Sequence, residues 1–386
     1  MPGFFISMTD LLKPLTSIPA DIHSAQDYEV LAQRFIPAPT YAYIAGGSAQ
    51  DETLAANRAA FSHYAICPRL LRDLSNASTQ TVVAATQFTH PILLAPVAYQ
   101  GLVHPAGEID TVCAAAATDS TLILSTLSSH SMEDVAAAAP ANKWFQLYFQ
   151  PVREHTLDLV KRAEAAGYSA LVVTLDASIQ VPSRRAQHAG FHFPPEMSAV
   201  NLRSYCSESP VSAPAKNTLS QEKSRIFSLM RNAPSWQDLQ WLQTQTKLPI
   251  WVKGVLHPED AKALKTLGIT GIVVSNHGGR SLDGVAASVQ MLPLIRRAVG
   301  AEFPLLLDSG IRSGKDIFKA LALGANGVLI GRLQIYALSV AGALGVAHML
   351  KLLREELEVC MAMAGCSVIS DIDATYVMPS VSASTF

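Results

Sequence analysis

Three segments of the chain repeat one pattern of polar and apolar positions: "EAAGYSALVVT" (164–174), "KTLGITGIVVS" (265–275) and "LALGANGVLIG" (321–331). Each passes from an amphipathic stretch through a glycine and a short turn into an unbroken apolar run. Gly167, Gly268 and Gly324 stand where a helix ends in a left-handed residue. A run that is apolar on both faces belongs to a parallel strand covered by helices, and repeated αβ units mean βαβ winding. Extended along the chain, the pattern predicts eight strands, at 92–98, 122–126, 143–149, 170–176, 249–255, 271–276, 304–309 and 327–331. Amphipathic segments such as "HTLDLVKRAEAAG" and "SGKDIFKALALG" lie between them. Eight βα units predict an α/β fold of the TIM (β/α)8 type rather than an open doubly wound sheet, with its chemistry at the C-terminal ends of the strands.

Two regions fall outside the repeat. Residues 1–90 are expected to form an N-terminal helical lead-in packed on a barrel spanning 91–376. Residues 177–235, rich in Ser, Pro and Asn, form a long insertion after the fourth strand. A connection of that length is commonly functional, and part of it is expected to fold over the site.

Bulk properties remove several alternatives. The 386 residues are 49% hydrophobic with a formal net charge of −2 and no charged block, so nothing favours nucleic acid as a partner. Cys67, Cys113, Cys206, Cys360 and Cys366 are scattered and odd in number. That argues against a disulfide framework or structural zinc, and for the cytoplasm. The opening "MPGFFISMTDLLKPL" lacks the basic-then-apolar order of a signal peptide. No apolar run long enough for a membrane span is read, and no metal site is expected.

Polar residues collect at the predicted strand ends. Strand 1 ends in "APVA", strand 2 in Ser125, and strand 3 in "FQLY" with Gln146 and Tyr148 on one face. Thr174 and Asp176 share a face at the end of strand 4 by the two-residue period. Lys253 follows "PIWV" inside strand 5, where a lysine needs a negative partner, either a protein carboxylate or an anionic cofactor group. "DSGIRSGKD" and "IGR" place Asp308, Ser309, Gly310, Arg312, Gly331 and Arg332 before two helix starts, a composition suited to phosphate. "SNHGGR" ends strand 6 with His277 followed three residues later by Arg280. A histidine that Asp176 can orient, beside an arginine fork that can grip a carboxylate, suits proton removal from a small organic acid.

These residues carry a resemblance. "VSNHGGRSLDG", "WVKGV", "LLLDSGIRSGKDIFKALALGANGVLIGR", "APVAYQGLVHPAGE", "KWFQLYF" and "TYAYIAGGSAQDETLAANRAAF" together resemble the FMN-dependent α-hydroxy acid oxidase/dehydrogenase family, which includes glycolate, lactate and mandelate oxidising enzymes. The resemblance runs from about residue 25 to 368. It implies FMN as cofactor, oxidation of an L-2-hydroxy acid to a 2-keto acid, and molecular oxygen as acceptor. A quinone- or cytochrome-linked dehydrogenase, or a flavin-binding barrel without activity, remain the alternatives. By resemblance His277 is the active-site base, Asp176 orients it, and Lys253 stands beside the flavin N1/C2 carbonyl. Arg280, Tyr43 and Tyr148 contact substrate. Ala95, Pro96, Val97, Ala98, Ser125, Gln146, Thr174 and Ser275 line the flavin. Asp308, Ser309, Gly310, Arg312, Gly331 and Arg332 hold its ribityl and phosphate. Relatives are commonly tetramers, so a homo-oligomer is expected.

Three positions depart from the family pattern. Where a second substrate arginine is usual, nine residues after Thr174, this chain has Ser183, and Arg184, or else Arg185, is expected to take over. Leu127 replaces an aromatic residue and Ile44 a tyrosine. Both enlarge the pocket and suit a bulkier or aromatic substrate.

Overall fold

The computed structural model describes residues 11–179, 181–205 and 233–380. Eight parallel strands close into a barrel: β1 (Ile92–Leu94), β2 (Thr121–Ser125), β3 (Asn142–Leu147), β4 (Leu171–Thr174), β5 (Ile250–Val255), β6 (Gly271–Val274), β7 (Leu305–Leu307) and β8 (Gly327–Ile330). β8 pairs with β1 through Leu329 opposite Leu93, which closes the ring. The TIM barrel expected from the repeat is the observed fold.

The period of two divides the strand residues between two cores. Leu93, Ile123, Trp144, Val172, Trp251, Val273, Leu306 and Leu329, one from each strand, fill the barrel interior. Their neighbours, such as Leu94, Leu124, Phe145, Val173 and Val274, face outward and pack under the helices. Trp144 and Trp251 stack at 5.2 Å in the interior. A (β/α)8 barrel is a filled core of side-chain layers, which is why the strands read as continuous apolar runs.

The lead-in is more varied than a helical segment. After the helices Ala38–Ala45 and Glu52–Ala59, residues Tyr64–Ile66 form a strand antiparallel to Val377–Pro379 and tie the two ends of the fold together. A hairpin, Thr81–Val83 with Thr86–Phe88, sends Val83 and Phe88 into the interior cluster and plugs the barrel. Three-residue strands are too short to leave a readable alternation. The hairpin turn also lacks the usual sequence signal: Ala84 (φ 49°) and Ala85 (φ 63°) occupy positions that favour Gly or Asn. Because Ala85 is exposed, Ala85→Gly is expected to stabilise the fold by about 0.5–1 kcal/mol, read as a raised thermal midpoint.

The long helix after β8, Arg332–Ala364, is two helices joined across a kink at Ala341–Gly342. By length and composition alone it could cross a membrane, but 78% of its most apolar window is buried inside the fold. It lies against the helix Gly107–Ala117 and the helix Gly314–Ala322, so its apolar faces serve the core.

Of the insertion at 177–235, the described part includes a short helix, Arg184–His188, and a 3-10 turn, Val200–Tyr205; residues 206–232 and Gln180 lie outside the described residues.

Candidate active site

The C-terminal ends of the strands open into a cavity of about 1150 Å³, its mouth included. One wall carries the β1 loop, Pro96, Val97 and Ala98, with Ser125 from β2. The β6 turn places His277 and Arg280 on it, and Lys253 comes from β5. The β7 and β8 turns supply Asp308, Ser309, Gly310, Arg312, Gly331 and Arg332, and Tyr43 and Tyr148 complete the rim. Gln146, Thr174 and Ser275, buried at the strand ends, stand behind this lining rather than in it.

His277 Nδ1 lies 2.9 Å from Asp176 Oδ1. The carboxylate can only accept, so it fixes the proton on Nδ1 and leaves Nε2 as the acceptor. Burial alone would raise the Asp176 pKa; the neighbouring His277 and the charge of Lys253 outweigh it and hold the carboxyl below its ordinary value. His277 itself sits in the left-handed region at φ 59°. Such a conformation in a non-glycine residue persists only where its surroundings enforce it.

Lys253 Nζ is 3.0 Å from Asp308 Oδ2 and donates to Ser275 Oγ at 2.8 Å. Burial would lower the lysine pKa, but Asp308 and Asp176 raise it above the ordinary value, so the ammonium is charged at neutral pH. Its aim depends on a bulge. The β5–β6 register slips between Lys253 and Val255, and the intervening Gly254 has φ 100°. A Cβ on Gly254 would fall 2.5 Å from Asp176 Cβ and Cγ. Gly254→Ala therefore displaces Asp176 and is expected to reduce turnover at least ~10-fold while the barrel remains folded, checked by steady-state rates beside circular dichroism.

Arg280 Nη1 donates to the carbonyls of Tyr43 (2.7 Å) and Gly46 (3.0 Å), and the guanidinium lies over the Tyr43 ring. Its Nε and Nη2 donors meet no acceptor among the described residues, and the side chain lines the cavity. Arg332 donates to Ile44, Gly278 and Gly46 carbonyls, and Arg312 pairs with Glu29. Arg332 is buried without a carboxylate partner among the described residues. Burial, with Arg280 and Arg312 nearby, pushes its pKa down to about 9.

The second arginine expected from "PSRR" does not reach the cavity. Ser183 caps the helix Arg184–His188 by accepting from Ala186 N. Arg184 is exposed, and Arg185 is held by Asp51 at 2.6 Å. The same loop contributes two residues that sequence reasoning missed. Phe191 stacks on Tyr43 at 4.4 Å, and Phe193 stands edge-on to Tyr43 and to Tyr99. Tyr99, another omission, lines the cavity at φ 53°. The "FHFPP" aromatics in an otherwise polar insertion were the available signal.

The site fits FMN. Gln146 Nε2 and Thr174 Oγ1 are buried without a hydrogen-bond partner. They stand beside Ser125 and Lys253, where a heterocycle edge rich in donors and acceptors would satisfy them. The cationic side chains Arg312, Arg332 and Lys253 face one cavity, and helices begin at Gly314 and Arg332. That combination receives a phosphate.

Comparison with known proteins agrees. The family model for FMN-dependent dehydrogenases matches residues 32–379. The chain is 57% identical over 370 residues to an L-lactate oxidase of Alicycliphilus denitrificans, covering 96% of this chain and 100% of that protein. It is 37% identical to a glycolate oxidase of Spinacia oleracea, over 92% of this chain and 96% of the other. A solved structure of mandelate oxidase with (S)-4-hydroxymandelic acid superposes with a TM-score of 0.84 at 36% identity, over 93% of this chain and 99% of that one.

Proposed function

The chain belongs to the FMN-dependent dehydrogenase family, and from that premise we propose that it oxidises small L-2-hydroxy acids to 2-keto acids with molecular oxygen as acceptor. The observation that carries the reading is the His277–Asp176 hydrogen bond at 2.9 Å with Arg280 on the same turn of one cavity. FMN, when bound, supplies the two-electron acceptor. Pro96 to Ala98, Ser125, Gln146, Thr174, Ser275 and Lys253 would hold its ring. Asp308, Ser309, Gly310 and Arg312, with Gly331 and Arg332, would hold its ribityl chain and phosphate.

The protein's own contribution follows from the geometry. The free donors of Arg280 grip the substrate carboxylate, and the Tyr43 and Tyr148 hydroxyls add hydrogen bonds. Desolvation raises the Tyr148 pKa beyond the ordinary tyrosine range, so its hydroxyl keeps its proton and donates. His277 Nε2 takes the proton released by the substrate, and Asp176 stabilises the imidazolium that results. Lys253 holds a fixed positive charge on the cavity wall, where negative charge develops. Tyr43, Phe191 and Phe193 form an apolar cover that limits water.

With Arg184 outside the cavity, one arginine and the tyrosines bind the carboxylate. Leu127 and Ile44 leave room for side chains larger than hydrogen or methyl. Oxygen uptake across glycolate, L-lactate, 2-hydroxybutyrate and L-mandelate tests the reading; D-isomers serve as controls. Fast air reoxidation of the reduced flavin is expected, and a rate too slow for turnover would instead favour a dehydrogenase with another acceptor. We also propose a cytoplasmic homo-oligomer. Cys67, Cys113, Cys360 and Cys366 are free thiols, and Leu70, Leu71 and Met363 are exposed near the Arg69–Ala364 backbone contact. Light scattering of the purified protein would measure its mass.

A further inference from the structure

We infer that the helix Glu52–Ala59 of the lead-in is a brace for the β6 turn, and that Asn57 is the positioning residue through which it fixes His277. The inference rests on the function proposed above and adds a role for a residue remote from the substrate.

The contact is a reciprocal amide pair. Asn57 Nδ2 donates to Asn276 Oδ1 at 2.8 Å, and Asn276 Nδ2 donates back to Asn57 Oδ1 at 2.7 Å. Both residues are 1% exposed, so water cannot substitute for either bond. Asn276 immediately precedes His277 and uses its remaining capacity within the same loop. Its Oδ1 accepts from Gly279 N at 3.2 Å, and its Nδ2 also donates to Ala286 O. The amide thus spans the turn that holds His277 at φ 59°.

The helix is keyed to the site at two further points. Gly279 packs so closely that a Cβ there would fall 2.7 Å from Leu54 N, and a Cβ on Gly310, in the β7 turn, would strike Asn57 O. One helix therefore touches both the base turn and the turn proposed to hold phosphate. Its own N-terminus is capped from the loop it braces. Asp51 makes no side-chain cap; instead Asp283 Oδ1 accepts from Thr53 N at 2.8 Å, and Asp283 Oδ2 accepts from Gln50 N at 3.0 Å. Thr53 Oγ1 accepts in return from Gly284 N and Val285 N. A left-handed histidine is costly unless overdetermined by its surroundings, and this lattice supplies that constraint. Arg280 has separate anchors in the Tyr43 and Gly46 carbonyls, so loss of the amide pair acts first on His277.

The test uses the full-length FMN-loaded protein with Asn57→Ala and the isosteric Asn57→Asp, which puts a carboxylate oxygen against Asn276 Oδ1. Anaerobic mixing with L-lactate and with 2-deuterated L-lactate gives the limiting rate of flavin bleaching and its half-saturation. The limiting rate is expected to fall ~10–100-fold, as a displaced base predicts. Half-saturation should change less than threefold, and the deuterium isotope effect should grow. Flavin content per chain should stay native; if the alanine variant does not fold, the aspartate variant carries the test. Amide exchange over 276–280, which needs no turnover, should speed up at least tenfold. A limiting rate within twofold of native, or a loss matched by lost flavin, overturns the brace, as does native exchange protection in Asn57→Asp. A native protein that no 2-hydroxy acid bleaches would instead refute the oxidase reading, and the exchange result would still judge the brace.

Discussion

His277→Ala is expected to keep its yellow flavin and lose ~10²–10⁴-fold in turnover, the scale of a missing general base. Among the described residues the side chain's one hydrogen bond is to Asp176, so the fold and the cofactor cradle are expected to survive its removal. Asp176 becomes a buried carboxylate with Lys253 as its remaining nearby charge. The loss should therefore appear in the limiting rate of flavin bleaching more than in half-saturation, because Arg280 and the tyrosines are untouched. Stopped-flow mixing separates the two. Native bleaching in this variant would remove His277 from the chemistry.

Lys253→Met should have the second largest effect. Methionine matches the length of the side chain but not its charge. Asp308, paired at 3.0 Å in the native protein, is then left buried and unpaired. Breaking such a pair costs about 3–5 kcal/mol, so the thermal midpoint falls and part of the protein loses FMN. In the fraction that retains it, bleaching should slow ~10²-fold, about what the loss of one charge aimed at a developing anion costs. Bleaching at the native rate would show that the lysine is only a structural ion pair. Lys253 and Asp176 set a pH signature. The Lys253 pKa is raised, so its contribution to stability is present below the ordinary lysine value and is lost as pH rises through the raised one. Asp176 is lowered, so its contribution is present above the ordinary carboxylate value and is lost as pH falls through the lowered one. Melting across pH should show a broad neutral plateau, and Lys253→Met should flatten its alkaline edge.

The barrel was legible because the strands are buried on both faces and several of the helices between them stop at a glycine, Gly167, Gly268, Gly300 and Gly324; these are local signals that repeat. The site was legible where chemistry forces a residue into an unnatural place, as with Lys253 inside an apolar strand or His277 before two glycines. The short strands at 64–66 and 81–88 were not, since three residues carry no period and the Ala84–Ala85 turn lacks its usual glycine. "PSRR" misled for a different reason. Sequence shows two arginines near the right distance from Thr174, but the Ser183 cap and the Arg185–Asp51 pair, both made in three dimensions, decide that neither lines the cavity. Asn57 and Asn276, 219 residues apart, could be paired only by the fold.

The proposed chemistry needs a base and a carboxylate clamp working on a 2-hydroxy acid beside FMN. Anaerobic titration of the purified, FMN-loaded protein with L-lactate and L-mandelate examines this most directly. The oxidised flavin band should bleach with at least one of them, and one equivalent of 2-keto acid should form per flavin. A band that persists with every L-2-hydroxy acid offered, while FMN stays bound, would contradict it.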